Sequence, residues 1–206
     1  MAWQDVLQQY YNEIERVNRD INHDKVLEAI DLLYTAWGEN KTVFSMGNGG
    51  SASTASHFAS DLAKFTLVPG KQGFRVSCLN DNVPLVSAWT NDAGFGSIFV
   101  GQLEPWLQKD DVLVGFSVHG GSGLGDAGPW SQNLVQAMAL AKKRGAKVIG
   151  LSGFDGGAMQ EMADVSLVVP ADSEPLATPL IESYHVVLHH LICLGLKERI
   201  GSSANE

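Results

Sequence analysis

From residue 41 onward, short apolar runs alternate with longer stretches of helical spacing, and this alternation constrains the fold more than any other feature. Strands that are apolar along their whole length are typical of a parallel sheet covered by helices on both faces. We therefore predict an α/β fold, a three-layer α-β-α sandwich around a five-stranded parallel sheet. The predicted strands are residues 42–46, 74–79, 112–118, 147–151 and 165–169, and the clearest helices are residues 51–65, 132–144 and about 176–200.

Residues 1–39 differ from the rest of the chain because their apolar positions follow helical spacing only, with a break near Asn22. This pattern predicts two helices and no strand. Two helices alone bury little apolar surface, so a leading helical pair often packs against a partner subunit. We expect residues 1–39 to form a helical pair for oligomerisation and residues 40–206 to form the sheet domain.

The charge balance excludes some classes of function. The chain has 14 Lys and Arg against 23 Asp and Glu, a formal net charge of −9, and no basic cluster, which argues against nucleic-acid binding. The two cysteines, Cys78 and Cys193, lie in apolar stretches, so a disulfide-stapled secreted protein is not expected. The first residues are polar rather than a basic and apolar leader, and the apolar stretch 179–196 contains Glu182 and three histidines. We expect a cytoplasmic protein that does not bind a membrane.

A glycine-rich loop directly follows the first predicted strand, with the sequence Gly47-Asn48-Gly49-Gly50-Ser51-Ala52-Ser53. A strand, a glycine turn and a helix N-terminus present unpaired backbone N–H groups, and the serines add hydroxyl donors, so the loop suits an oxyanion such as a phosphate. The loop lacks the glycine spacing of a dinucleotide site and the lysine of a P-loop, so nucleotide binding is not indicated. Glycine loops also occur as tight turns that bind nothing, and the loop alone does not separate these interpretations.

A second glycine-rich loop follows the third predicted strand and runs from Ser117 and His119 through five glycines to residue 128. Ser131 stands at the predicted start of the next helix, a position that favours serine. One interpretation is an exposed surface loop. The other is a second wall of the first loop's pocket, since loops at the carboxyl ends of parallel strands meet at one edge of the sheet.

Two predicted helices carry titratable side chains at helical spacing, and His57 and Asp61 lie one turn apart on the first of them. The titratable side chains of the last helix are Glu182, His185, His189 and His190. Imidazole and carboxylate groups from two helices suit a four-ligand site for zinc or a similar cation. On the last helix, Glu182, His185 and His189 share one stripe, whereas His190 lies about 80° around the helix from that stripe. Spacing therefore favours His189 over His190 as a ligand. Any one of these histidines is more often a core residue with a hydrogen-bond partner, whereas four titratable groups on two helices favour a site.

Taken together, these segments resemble the sugar-isomerase (SIS) domain family, and within it the phosphoheptose isomerase branch. The resemblance spans nearly the whole chain and includes the leading helical pair. Its most specific elements are two glycine motifs in order, Gly47-Asn48-Gly49-Gly50-Ser51 and Gly153-Phe154-Asp155-Gly156-Gly157. The other elements are His57-Phe58-Ala59-Ser60-Asp61-Leu62, Asn91-Asp92, Val114-Gly115-Phe116-Ser117 and Glu182-Ser183-Tyr184-His185.

The resemblance implies the SIS fold and an aldose–ketose isomerase of carbohydrate metabolism, acting on a sugar phosphate similar to sedoheptulose 7-phosphate. It implies a homotetramer with active sites between subunits, and proton transfer through an enediol with Asp61 as base and His190 as its acid/base partner. It also implies zinc, or another divalent cation, held by His57, Asp61, Glu182 and His190, and so prefers His190 to the His189 of the helical stripe. The implied substrate-binding residues are Asn48, Gly49, Gly50, Ser51, Asn91, Asp92, Ser117, His119, Ser131 and Glu182.

Three features depart from the family pattern. Asp61 stands where the family has Glu, Glu182 stands where it has Gln, and the Ser/Thr-rich phosphate loop is replaced by Ser117-Val118-His119 and a longer segment before Ser131. These departures affect the expected identity of the substrate more than the expected fold.

Two other functions stay open, a non-catalytic SIS protein of the replication-initiator-binding type and a phosphosugar sensor. The retained histidines and Asp61 favour chemistry, because a pure binding module does not need a cation site.

Overall fold

The computed structural model describes residues 3–121 and 130–203. Its strands are β1 (Thr42–Gly47), β2 (Arg75–Cys78), β3 (Val112–Phe116), β4 (Lys147–Gly153) and β5 (Val165–Val169). They form one sheet in the order β2-β1-β3-β4-β5, and every neighbouring pair is parallel. The predicted five-stranded parallel sheet is confirmed, and each predicted strand overlaps an observed one.

Within the described residues, eight α-helices accompany the sheet. They are α1 (Trp3–Asp20), α2 (His23–Gly38), α3 (Gly50–Ser60), α4 (Val83–Ala93), α5 (Val100–Leu103), α6 (Gln132–Arg144), α7 (Gly157–Met162) and α8 (Ala177–Ser202). The three-layer sandwich preceded by a helical pair is confirmed. Three of these helices were not singled out from the sequence: α4, which has no fully buried residue, and α5 and α7, which are too short to show a helical period.

Side chains of the strands alternate between two cores, one on either face of the sheet. On β1, Val43 packs into the core shared with α2, α3 and α8, whereas Phe44 and Met46 pack into the core shared with α5, α6 and α7. The hydroxyl of Ser45 donates to the carbonyl of Ala55 on α3 at 2.8 Å. This bond satisfies a buried hydroxyl and holds α3 against β1 directly behind the glycine loop.

The leading helices pack on the face of the sheet that carries α3 and α8. Leu33 of α2 is buried in that core, and the Tyr184 hydroxyl of α8 donates to the carbonyl of Ile14 on α1 at 2.8 Å. The exposed apolar side chains of α1 include Trp3, Leu7 and Tyr11. Within the described part of the chain, α1 therefore carries apolar surface that no other element covers.

Among the described residues, α8 is the one helix long and apolar enough to cross a membrane, by length and composition alone. Half of its most apolar 18-residue window is buried inside the protein, and the side chains of His185 and His189 are fully buried. The helix packs against α2 and α3 and against β4 and β5 of the sheet. It is the core helix of this fold.

The start of the glycine loop depends on the absence of a side chain at Gly47. A Cβ at this position would overlap the backbone carbonyl of Ser51, so we expect Gly47→Ala to lower the free energy of unfolding by about 2 kcal/mol or more. The control is Gly38→Ala at the end of α2, where a Cβ would meet no atom within 4 Å. Alanine at that helical position should stabilise the protein by up to about 1 kcal/mol. Urea denaturation measures both changes, and equal effects of the two substitutions would contradict this reasoning.

Candidate active site

The glycine loop joins the carboxyl end of β1 to the first turn of α3 and forms one side of a cavity of about 250 Å³. Gly49 has a φ of +56°, a backbone conformation that favours glycine. A Cβ at Gly50 would overlap the carboxylate of Glu182 on α8, so this glycine allows Glu182 to lie directly against the loop. Eight of the predicted substrate-binding residues line the cavity: Asn48, Gly49, Gly50, Ser51, Ser117, His119, Ser131 and Glu182.

A pair of amide side chains holds the glycine loop to the opposite wall of the cavity. Asn48 Nδ2 donates to Asn133 Oδ1 at 3.0 Å, and Asn133 Nδ2 donates back to Asn48 Oδ1 at 2.8 Å. Asn48 Nδ2 also donates to Ser131 Oγ at 3.2 Å, and the Ser131 side chain makes no capping bond to α6 although it occupies the N-cap position. Asn133 was not among the predicted site residues, and its one signal in the sequence is its place in the first turn after Ser131.

The second glycine-rich loop contributes an aromatic wall to the same cavity. The His119 ring stacks on Phe154 with centroids 4.4 Å apart and planes 22° apart, and it meets Trp130 edge-on at 5.8 Å. Neither Phe154 nor Trp130 was among the predicted site residues. Residues 122–129 of the predicted loop, with three of its five glycines, lie outside the described residues.

The described lining of this cavity offers an anion no lysine or arginine. Among the described residues that line it, His119 is the one basic side chain. The remaining donors are the backbone N–H groups at the start of α3, with the helix dipole behind them, and the buried hydroxyls of Ser51 and Ser117. Glu182 brings a negative charge to the same wall.

Asn91 and Asp92 lie away from the cavity. Both are exposed near the end of α4, and Asn91 Nδ2 donates to Asp92 Oδ1 at 2.7 Å. Neither is among the residues that line the cavity. A single chain therefore does not bring these two predicted substrate-binding residues to the glycine loop.

A group of four titratable side chains, the His/Asp cluster, lies further along α3 and α8. It consists of His57, Asp61, His189 and His190, whose ligand atoms all lie within 4.8 Å of one another. Asp61 Oδ2 is 3.6 Å from His57 Nε2, 3.6 Å from His189 Nδ1 and 3.4 Å from His190 Nε2. His57 Nε2 and His190 Nε2 are 3.3 Å apart. One carboxylate thus lies close to three imidazoles.

The two sites are joined by the packing of α3 against α8, which run in the same direction. Gly50 lies beside Glu182 at one end of their contact, and the His/Asp cluster lies further along both helices. His57 follows Gly50 by seven residues (57 − 50), so the cluster lies about 10 Å from the glycine loop along α3. At Asp61 the helix passes into a π-helical turn, Asp61–Phe65, an irregularity often found at functional sites.

The donors of the His/Asp cluster suit a divalent cation. Ligand atoms around a tetrahedral Zn²⁺ lie about 3.3 Å from one another, close to the separations of 3.3 Å and 3.4 Å that His190 Nε2 makes with His57 and Asp61. His189 is fully buried, and neither of its ring nitrogens has a hydrogen-bond partner among the described residues. Of the predicted metal ligands, Glu182 is the one that does not belong to the cluster.

Burial keeps the inner histidines of α8 uncharged. Burial, with smaller contributions from the charges of the neighbouring histidines, lowers the pKa of His189 to about 3, so its imidazole is in the neutral form that binds metals. Burial likewise lowers the pKa of His185 to about 4, against the opposing hydrogen bond between its Nε2 and the carbonyl of Ser152 at 3.3 Å. His185 is thus a core histidine with a backbone partner.

Known proteins share this sequence and fold over nearly the whole chain. A sequence profile of the SIS domain family matches residues 9–153. The lincomycin biosynthesis protein LmbN of Streptomyces lincolnensis is 49% identical over 190 residues, which cover 92% of this chain and 68% of that protein. A phosphoheptose isomerase of Geotalea uraniireducens is 34% identical over 192 residues, which cover 87% of this chain and 94% of that protein. The structure of phosphoheptose isomerase GmhA from Neisseria gonorrhoeae matches with a TM-score of 0.80 at 26% identity, covering 95% of this chain and 96% of that chain.

The buried, neutral state of His185 makes the stability depend on pH. Its pKa is about 4 in the folded protein and about 6.5 in an unfolded chain, so its stabilising contribution is complete above pH ~6.5 and is lost as the pH falls toward 4. Between about pH 7 and about pH 4.5, His185 alone should remove about 2 to 3 kcal/mol from the free energy of unfolding. We expect His185→Gln to lessen the pH dependence by that amount, measured by urea denaturation in the presence of a chelator. Equal pH dependence of the stability in the parent protein and in His185→Gln would contradict this role of His185.

Proposed function

The chain belongs to the SIS domain family, and from this premise we propose that it is a metal-dependent aldose–ketose isomerase acting on a sugar phosphate. The phosphoheptose isomerases among its relatives and structural neighbours support sugar-phosphate isomerase activity. The substrate that we propose is a ketose phosphate similar to sedoheptulose 7-phosphate, interconverted with the corresponding aldose phosphate.

The observation that carries this proposal is the spacing of two sites along the parallel pair α3 and α8. One end of the pair holds a donor-lined cavity suited to a phosphate. The His/Asp cluster lies about 10 Å further along, a length comparable with that of an extended seven-carbon sugar phosphate. An open-chain phosphosugar held by its phosphate in the glycine loop would therefore present its carbonyl end to the cluster.

The chemistry that we propose is proton transfer through an enediol. The reaction moves one proton between adjacent carbons and another between their oxygens, which requires a base and an acid/base partner at the same place. We assign the carbon-bound proton to the Asp61 carboxylate oxygen that does not hold the cation, and the oxygen-bound proton to the His190 ring nitrogen that does not hold it. The Asp61 carboxylate and His190 Nε2 are 3.4 Å apart, and the His190 side chain is 50% exposed, so both groups are within reach of a substrate.

We propose that zinc, or another divalent cation, takes part in the reaction. His57, Asp61 and His190 would hold it together with a fourth ligand from α8, the position that the family resemblance gives to Glu182. When bound, the cation polarises the carbonyl or hydroxyl oxygens of the sugar and stabilises the negative charge of the enediolate. Its charge also favours an anionic substrate in an acidic protein of net charge −9.

We propose that the chain forms a homotetramer with active sites between subunits. The support is apolar surface beside the His/Asp cluster, where Val187, Leu191 and Leu194 of α8 are exposed in the single chain. A second subunit packed on this stripe would close the solvent side of the cluster. Asn91 and Asp92 on the exposed helix α4 would then reach the sugar from a neighbouring subunit.

In this proposal residues 1–39 serve assembly and residues 40–206 carry the site. The exposed apolar side chains of α1 support the first assignment. We further propose that the enzyme works in the cytoplasm, and its two free, buried cysteines suit a reducing compartment.

An assay of the purified protein on sedoheptulose 7-phosphate tests the proposed function. We expect conversion of the ketose to the aldose phosphate, a loss of about 100-fold or more on treatment with a chelator, and recovery when Zn²⁺ or another divalent cation is returned. The unphosphorylated ketose is the matched control and should react far more slowly, because the glycine loop then has nothing to hold. A metal-loaded protein that converts no ketose or aldose phosphate would contradict the isomerase, and phosphosugar binding without turnover would favour a sensor.

Asp61→Asn tests the proposed role of Asp61 as base and cation ligand. The amide keeps the shape of the side chain but does not take up a proton, so we expect kcat to fall by about 100-fold or more while the oligomer stays intact. Glu161→Gln makes the same kind of change at an exposed position of α7 and should leave kcat unchanged. Normal turnover by Asp61→Asn would remove this carboxylate from the mechanism.

A further inference from the structure

We infer that His189 is the fourth ligand of the cation site, so that a single subunit supplies all four ligands as His57, Asp61, His189 and His190. Glu182 then faces the glycine loop instead of the cation. The role of the cation in the reaction rests on the proposed function, whereas the assignment of its ligands rests on the geometry of α3 and α8.

In the part of the interior that the structure describes, His189 is unpaired. Its side chain is fully buried, and both Nδ1 and Nε2 are without a hydrogen-bond partner among the described residues. Buried polar groups are nearly always paired, and an unpaired one destabilises the protein. His185, one turn earlier on the same helix, has one of its two ring nitrogens paired, since its Nε2 lies 3.3 Å from the carbonyl of Ser152 on β4. A cation at the cluster would give a partner to His189 Nδ1, the ring nitrogen that lies 3.6 Å from Asp61 Oδ2.

Three imidazole rings of the His/Asp cluster lie around the carboxylate of Asp61. The ring centroids are 4.7 Å apart for His57 and His189, 4.9 Å for His57 and His190, and 4.3 Å for His189 and His190. His189 Nδ1 and His190 Nε2 lie at 3.6 Å and 3.4 Å from the same oxygen of Asp61. His189 and His190 therefore approach Asp61 about equally closely. Both can be ligands, although helical spacing alone favours only one of them.

Glu182 does not belong to the His/Asp cluster. It precedes His190 by eight residues (190 − 182), which places it about 12 Å away along the helix axis. Its carboxylate lies against Gly50 and lines the cavity of the glycine loop. Within one chain, a cation at the His/Asp cluster therefore has His189 beside it and Glu182 two turns away.

The ligand set has a consequence for substrate binding. Two carboxylates would cancel the charge of a divalent cation, whereas three neutral imidazoles and one carboxylate leave one positive charge on the site. That charge favours an anionic sugar in a chain that places no lysine or arginine among the described residues of its phosphate cavity. Nitrogen ligands also favour Zn²⁺ or Co²⁺ over Mg²⁺ or Ca²⁺, which prefer oxygen.

Metal binding by the full chain, measured apart from activity, tests the assignment. Chelator-treated protein is titrated with Zn²⁺ by calorimetry and with Co²⁺ by visible absorption, whose bands report the number and type of ligands. His189→Leu should weaken Zn²⁺ binding by about 100-fold or more and change the Co²⁺ spectrum. The matched control is Glu182→Ala, which removes a carboxylate from the same helix and should leave Zn²⁺ affinity within about 3-fold of the parent protein.

Thermal unfolding separates the loss of a ligand from the loss of structure. Without metal, His189→Leu should unfold at or above the temperature of the parent protein, because an apolar side chain replaces two unpaired nitrogens. The rise in Tm on adding Zn²⁺ should be smaller or absent in this variant. If the leucine variant does not fold, His189→Met fills similar space with a thioether that binds Zn²⁺ poorly and should show the same loss of affinity.

Two outcomes would overturn the assignment: normal Zn²⁺ affinity in the His189 variants, or no binding of Zn²⁺ or Co²⁺ by the parent protein. Weak binding in Glu182→Ala with normal binding in His189→Leu would return the fourth position to Glu182 and leave the proposed isomerase intact. Turnover of sedoheptulose 7-phosphate is measured on the same preparations. Weak Zn²⁺ binding in the His189 variants and normal binding in Glu182→Ala, without turnover by the parent protein, would contradict the proposed function but support the ligand assignment.

Discussion

The parallel packing of α3 against α8 over one face of the sheet is the contact on which the candidate site depends. α3 is held to the sheet by the bond from Ser45 to the carbonyl of Ala55 and by the edge-to-face contact of Phe58 with Phe116 at 5.6 Å. Glu182 in the second turn of α8 lies against Gly50 at the start of α3, and later turns of the two helices meet at the His/Asp cluster. A shift of one helix along the other by a single turn, about 5 Å, would separate Asp61 from the imidazoles of α8.

Electrostatics explains why such a site is built from dipoles and histidines. The chain is acidic, and the described lining of the cavity offers backbone N–H groups, hydroxyls and His119 instead of lysine or arginine. These donors act over short distances and suit one anion in one place. The buried imidazole of His189 remains neutral because burial depresses its pKa to about 3, so the interior of α8 does not add a positive charge of its own. In the proposed isomerase, a bound cation would add a stronger attraction for the anionic substrate.

Features that depend on neighbouring residues in the chain were predictable from the sequence. The five strands, the long last helix and the glycine loop follow from apolar runs, helical periodicity and glycine spacing, which are local properties. Asn133 and Phe154 were missed because they reach the site through contacts with Asn48 and His119, far away in the sequence. The helical stripe favoured His189 and the family resemblance favoured His190, and in the structure both imidazoles lie close to Asp61.

The sequence by itself determined the parallel sheet, the glycine loop at the end of β1 and the set of titratable side chains on α3 and α8, because each follows from local pattern. Only the tertiary structure decided which of those side chains meet. The relative position of α3 and α8 results from their packing on a shared core, and no spacing within one helix reveals it. That packing brings His189 into the cluster and leaves Glu182 against Gly50, about two turns away along α8.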